Sequence, residues 1–339
     1  MKIKHLLLLI LALAIGVSAE AQTSTGDKVK AFADQYLRLT GYLQGGFRAD
    51  QNTEPLSTFY LHRARLSLTG DMAQDKVDYR LQVDWAGSPK ICDLYFRYKP
   101  MKELNIELGQ FKIPFSYENE NCGPTTVEFI EYSYITTYLA RNNAKYDNIA
   151  ATGRDFGFQV YGGFIQRDGY SVINYNLGVF NGNGINAKDN NSSKDIVARV
   201  VVKPFKGFAV TGSYMYAETN VDKNNKYMKS PRWAVGALYD SRHWVARSEY
   251  AEVDFGGNLA RAFYALGGYH FEKPWSLFAR YEFINDEHRI LDEQRIQLGA
   301  AYKPFKFLRL QSNLSYTMPY QATNGKRSLG FNLLATAMF

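Results

Sequence analysis

The chain has 339 residues, 46% of them hydrophobic, a formal net charge of +7 and a mean hydropathy of −0.33. Two cysteines exclude a disulfide-dense scaffold and any cysteine-based metal or redox motif. Beyond residue 21 no apolar run approaches the roughly 20 residues of a membrane-crossing helix, which excludes a helical membrane protein, yet 25 Tyr and 22 Phe are more than a soluble enzyme of this size needs.

At the N-terminus, Lys2 and Lys4 precede an apolar run from Leu6 to Val17, and Ala19 and Ala21 follow in an A-x-A arrangement. That order predicts a secretory signal peptide over 1–21, cleaved before Gln22; the run is too short for a membrane anchor. Loss of Lys2, Lys4 and Glu20 lowers the net charge from +7 to +6, and an exported chain has no nucleic acid to meet with that excess. Residues 22–35 read as a short periplasmic segment. Export permits a disulfide between Cys92 and Cys122 without dictating one.

Residues 36–339 are a succession of strands and turns. Lys99-Pro100-Met101-Lys102, Lys203-Pro204-Phe205-Lys206 and Lys303-Pro304-Phe305-Lys306 repeat one turn, and Lys273-Pro274-Trp275 is a variant. Proline gives no N–H to a ladder, so each predicts a strand end, and a tight turn joins only antiparallel neighbours. The predicted strands are 36–47, 58–70, 75–85, 91–99, 103–112, 153–164, 169–180, 195–203, 207–218, 231–240, 243–254, 262–272, 275–285, 293–303, 306–318 and 327–339. Most reach the roughly 9–11 residues that cross a bilayer at a tilt. Connections after even-numbered strands are short. Those after odd-numbered strands are mostly longer, at 48–57, 113–152, 181–194, 219–230, 255–261, 286–292 and 319–326, with 86–90 the exception. A transmembrane barrel has this asymmetry of tight periplasmic turns and longer outer loops.

The faces agree. Over 75–85, Val77, Tyr79, Leu81, Val83 and Trp85 alternate with Lys76, Asp78, Arg80, Gln82 and Asp84. The last strand sets Leu329, Phe331, Leu333, Ala335, Ala337 and Phe339 on one face. A period of two puts one face in an apolar medium and the other in a wetter one. Nearly every strand keeps a charged face, so two sheets would share no dry core. The consistent fold is all-β: a closed transmembrane antiparallel β-barrel of about sixteen strands, apolar outside and polar inside. About sixteen strands enclose an aqueous channel. The terminal strand resembles the assembly signal of bacterial outer-membrane barrels. It predicts a Gram-negative outer-membrane location, contact with outer-membrane lipid, and recognition by the barrel-assembly machinery through Phe339.

The same face count turns Arg38, Arg63, Arg65, Arg80, Arg97, Arg199, Arg247, Arg280, Arg295 and Arg309 to the lumen, beside Asp78, Asp84, Asp93, Glu103, Glu107, Asp155, Asp195, Glu249 and Glu282. Arginine holds phosphate or carboxylate by paired donors, so a column of arginines would pass anions between weak sites. The competing reading pairs many of them with acids across strands, stiffening the wall. Residues 113–152 form a connection long enough to imply a function. Val127, Phe129, Ile130, Tyr134, Ile135, Tyr138 and Leu139 are too apolar for a loop in water, which predicts a loop folded inward after the fifth strand; a cap or a subunit contact is the alternative. Lys112, Arg141, Lys145 and Arg154 would then face Glu118, Glu120, Glu128 and Glu131. The candidate pore-lining, anion-contacting residues are Arg63, Arg65, Arg97, Lys112, Arg141, Arg154, Arg280, Arg295 and Arg309.

The segment Phe59-Tyr60-Leu61-His62-Arg63-Ala64-Arg65, ending at Gly70, resembles the early strand motif of the phosphate-selective porin O and P family. Gly109-Gln110-Phe111-Lys112-Ile113-Pro114-Phe115-Ser116, followed by Glu118, is similar to that family's entry to its long loop, Arg154-Asp155 with Gly157 to its next strand, and Asn181-Gly182 to a recurrent loop start. The resemblance runs from about residue 36 to the end. It implies a sixteen-stranded trimeric outer-membrane porin whose third loop turns inward. The best-known members carry an arginine ladder and a pore lysine cluster; this chain has no dense lysine run in the corresponding segment and places glutamates there. The resemblance therefore implies a water-filled channel for small solutes more firmly than a preference for anions such as phosphate.

A non-selective channel, a sugar or dicarboxylate channel, and a non-conducting adhesive or structural barrel stay open as alternatives. His62, His243, His270 and His288 are scattered, with no serine nucleophile motif or metal-ligand spacing. The sequence thus predicts no catalytic residue, no metal, no cofactor and no enzymatic activity.

Overall fold

The computed structural model describes residues 36–140, 153–189, 191–220, 227–272, 274–322 and 325–339. The predicted signal peptide, the 22–35 segment, Arg141 and Lys145 lie outside the described residues.

The strands are β1 (Arg38–Asp50), β2 (Ser57–Met72), β3 (Val77–Asp84), β4 (Lys90–Met101), β5 (Leu104–Lys112), β6 (Arg154–Arg167), β7 (Tyr170–Phe180), β8 (Asp195–Phe205), β9 (Phe208–Tyr216), β10 (Glu218–Asn220), β11 (Tyr227–Lys229), β12 (Arg232–Asp240), β13 (Trp244–Asp254), β14 (Leu259–His270), β15 (Trp275–Asp286), β16 (Asp292–Phe305), β17 (Leu308–Met318) and β18 (Ser328–Met338). Sixteen of them close an antiparallel barrel, and β10–β11 form a separate small hairpin in the connection from β9 to β12. Each predicted span has its strand, displaced by a few residues at the ends. One rim carries only short turns and the other carries the long connections.

The ring closes between β1 and β18. Gly41 N–H donates to the Phe339 carbonyl at 2.8 Å and Phe339 N–H to the Gly41 carbonyl at 3.0 Å. A Cβ on Gly41 would lie 2.6 Å from the Phe339 ring and 2.8 Å from the Arg65 backbone carbonyl, which cannot swing aside, so the closing pair needs glycine there.

The prolines do not stop their strands as expected. β4, β8 and β16 run through Pro100, Pro204 and Pro304 and end one residue later. Each ladder instead skips the Lys-Pro pair, passing from Tyr98 to Met101, from Val202 to Phe205 and from Tyr302 to Phe305. A bulge absorbs the missing N–H, and a two-residue turn follows.

Exposure alternates along the strands. In β17, Arg309, Gln311, Asn313 and Ser315 are buried while Leu310, Leu314 and Tyr316 are exposed. Exposed apolar side chains are stable only in an apolar medium, and a closed ring leaves the polar face inside. Beside the short turns, Phe205, Trp244, Trp275, Phe305 and Phe307 are exposed, as an interfacial aromatic girdle requires.

Two bulges shift the inward pattern near the long-connection rim. In β2, Gln44 pairs with Arg63 and Gly45 with Leu61, so His62 has no ladder partner and the strand changes phase. Phe59 and Leu61 face out, and Arg63 and Arg65 face in. In β4 the same change leaves Cys92 unpaired between Ile91 and Asp93. Cys92 and Cys122 are both buried free thiols.

Candidate channel lining

Residues 113–140 lie against the polar face of one side of the wall. The segment includes a short helix α1 (Tyr117–Asn121) and a π-helical turn (Ile135–Ala140). Its backbone would be costly to bury unpaired, and wall side chains meet that need. Glu249 accepts from Tyr117 N–H at 2.6 Å, Glu118 N–H at 3.2 Å and the Ser116 hydroxyl at 3.1 Å. Glu282 accepts from Tyr134 N–H at 2.8 Å. Gln311 donates to the Val127 and Glu128 carbonyls, Arg309 to Thr125 and Gln44 to Pro124.

Charge pairing and apolar contact reinforce this seating. Arg247 forks onto Glu128 at 3.0 and 3.2 Å. Arg295 pairs with Glu131 and Glu282, both at 2.5 Å. Arg280 lies 3.3 Å from Glu282, 3.7 Å from Glu118 and over the Phe129 ring at 4.7 Å. Phe129, Ile135 and Leu139 join inward residues such as Ala262, Phe278 and Ala301 in one buried cluster. Burial pushes the thiol of Cys122 and the phenols of Tyr117 and Tyr134 up from their ordinary pKa values.

The opposite side, β2 to β6, keeps open space. A cavity of 310 Å³ is lined by Arg65, Arg80, Arg97, Lys112 and Arg154, by Asp93, Glu107 and Glu120, and by the Gly123-Pro124-Thr125 backbone turn. The arginines are paired within the wall: Arg65 with Asp84 at 2.8 Å, Arg97 with Asp78 at 2.7 Å, and Arg154 and Arg80 with Asp93 at 2.6 and 3.4 Å. Lys112 Nζ donates to the Glu120 and Cys122 carbonyls, both at 3.3 Å. The cavity surface itself presents five cations and three acids, while Asp84 and Asp78, the partners of Arg65 and Arg97, are not part of that surface.

The model of a family described as phosphate-selective porin O and P matches residues 37–278. The chain belongs to that family. It is an outer-membrane porin, and its barrel forms a channel for small solutes. Among solved structures it is similar to an anion-selective porin from Comamonas acidovorans, at a TM-score of 0.73 and 13% identity, covering 89% of this chain and 99% of that one. It is also similar to the outer-membrane channel DcaP of Acinetobacter baumannii, with TM-score 0.66, 15% identity and coverage of 89% and 97%. OmpT of Vibrio cholerae in a trimer form gives 0.60, 14%, 89% and 99%. At such identities these likenesses speak for the fold alone. No curated protein matches the chain.

The porin divides the predicted cationic residues into two groups. Arg65, Arg97, Lys112 and Arg154 line the open cavity together. Arg63 is beside them on β2 and donates to the Gln44 amide oxygen at 3.0 Å. Arg280, Arg295 and Arg309 face them across the barrel and hold the seated segment. Arg80, placed on the lumen face by the alternation, belongs with the first group. Glu249 carries no signal in sequence of its anchoring part beyond that face. Arg232, buried and donating to the Leu139 carbonyl at 2.7 Å, was not marked by the face count; its position at the head of a strand, beside Pro231, obscures the alternation.

Proposed function

We propose that this porin favours anions, that its water path runs along β2–β6, and that residues 113–140 narrow the barrel from the other side. The observation that carries this reading is that the 310 Å³ cavity beside the segment's backbone is faced by five cations and three acids, the balancing Asp78 and Asp84 not reaching its surface. Pairing of Arg65, Arg97 and Arg154 with carboxylates tempers the field, so the preference is graded rather than absolute, and phosphate is one of several anions admitted. The anion-selective porin of similar fold and the family's description support the same sign. A homotrimer is part of the proposal, supported by the trimer form of the similar OmpT. Secretion by the 1–21 signal peptide and assembly through Phe339 complete it.

The test is the reversal potential of the purified protein in a planar bilayer under a potassium chloride gradient. An anion-signed potential, reduced current on adding phosphate, and reversal toward cations in Arg65→Ala are expected. A cation-signed potential in the native protein overturns the anion preference.

A further inference from the structure

A second chamber, of 460 Å³, lies nearer the short-turn rim, and Glu120 lines both it and the first. Its walls come from the turn-side halves of β5 to β8, and its cations are Lys102, Arg199 and Lys203. Its size lies in the roughly 300–1,000 Å³ range of small-molecule sites.

Arg199 sets this chamber apart. It sits on β8 opposite Asn176 of β7 and Ser213 of β9. Its exposure is 5%. The inward arginines Arg65, Arg97, Arg154, Arg247, Arg280 and Arg295 each have a carboxylate at 3.7 Å or less. Arg63 and Arg309, also without a carboxylate, donate to the Gln44 amide oxygen and the Thr125 carbonyl; Arg199 has no carboxylate among the described residues, and its Nε and Nη1 donors meet no acceptor. The guanidinium carbon lies over the Tyr117 ring, 5.7 Å from its centroid, a contact that uses none of its donors. A buried guanidinium with unfilled donors is costly to hold unless something fills them.

The groups around it select among anions. Asn105 and Asn176 also line the chamber. Asn105 donates its amide nitrogen to the Tyr161 carbonyl at 3.2 Å, and Asn176 to the Gln159 amide oxygen at 3.3 Å. Their amide oxygens are left as acceptors, and Glu120 adds another. Acceptors repel an ion whose surface is all oxygen lone pairs and welcome hydroxyl donors.

We propose that this chamber is a subsite for a polyhydroxylated monocarboxylate, a sugar acid of the uronate type. Arg199 holds the carboxylate by its paired donors, and Asn105 and Asn176 accept from ring hydroxyls. The inference deepens the channel reading and rests on it for the ligand's route.

Sodium glucuronate, glucose, sodium acetate and inorganic phosphate are the probes, read by single-channel block and by calorimetric titration of the detergent-folded barrel. Glucuronate is expected to block and bind at concentrations at least tenfold lower than the other three. Arg199→Gln abolishes its advantage over glucose, Arg199→Lys keeps part of it, and Asn176→Leu brings glucuronate to the level of acetate. Arg167→Gln, an exposed change at the turn rim, leaves the ranking as it is. Heat-modifiable gel mobility verifies that each variant is a folded barrel. Equal effects of acetate and glucuronate overturn the subsite. So does stronger binding of phosphate, or glucuronate binding that persists in folded Arg199→Gln. Calorimetry needs no current, so a barrel that binds glucuronate through Arg199 yet passes no anions upholds the subsite and overturns the channel reading.

Discussion

Two sides of the same ring use arginine differently. Along β2–β6, Arg65, Arg97 and Arg154 reach across the ladder to carboxylates of neighbouring strands and border open space. Along β13–β17, Arg247, Arg280, Arg295 and Arg309 reach to carboxylates and carbonyls of residues 113–140. The residue type and the facing are alike, but the electrostatic outcome differs. On the first side the charges shape a field in water. On the second they are consumed in seating a segment whose polar backbone would otherwise be buried unpaired.

Removing an anchor of the seated side is the strongest way to break this contrast. Glu249→Leu orphans two backbone N–H groups and two hydroxyls, at about 1–3 kcal/mol for each donor left buried. The expected result is a several-fold rise in single-channel conductance with noisy current, as both sides become open; unchanged conductance would show that the segment does not depend on that side. Next in size is Arg65→Ala, which leaves Asp84 buried without its partner, a change of about 3–5 kcal/mol in comparable pairs. The ratio of chloride to potassium permeability should fall several-fold, whereas Arg309→Ala on the seated side should leave it within a factor of two; equal shifts from the two variants would erase the distinction. A smaller change is expected from Glu120→Gln, which removes the acid common to both chambers. Reversal potentials should move about twofold toward anions, with no loss of thermal stability. The smallest effect concerns Cys122. Its thiol is pushed up by burial, so it stays protonated and poorly nucleophilic from pH 7 to 9. Maleimide labelling should remain negligible over that range and appear only in Glu249→Leu.

The wall was legible because a period of two survives any tertiary detail. Val77 to Trp85 and Leu308 to Met318 declare their faces residue by residue, and the Lys-Pro turns fix where the chain reverses. The departures arise where the ladder skips a residue. His62 and Cys92 each shift a strand's phase, which no composition signal announces. At the Lys-Pro sites the proline was visible, but its accommodation by a bulge rather than a strand end depends on the partner strand. The lining was legible as a set of inward cations and not as a circuit of partners. Arg97 and Arg280 look alike in sequence; only the position of residues 113–140 makes one a border of open space and the other a clamp. Arg199 looked like its neighbours on the same face, and its want of a carboxylate emerges only when every acid has been placed.

The shared position of Glu120 has an electrical meaning. Two chambers meeting at one residue are resistors in series, and the applied voltage divides between them. An occupant of the turn-side chamber, reached from that rim, crosses only part of the potential, while from the other rim it crosses most of it. Current through this barrel should therefore rectify when such an occupant is added to one side alone, with the polarity of rectification reporting which rim faces the electrode.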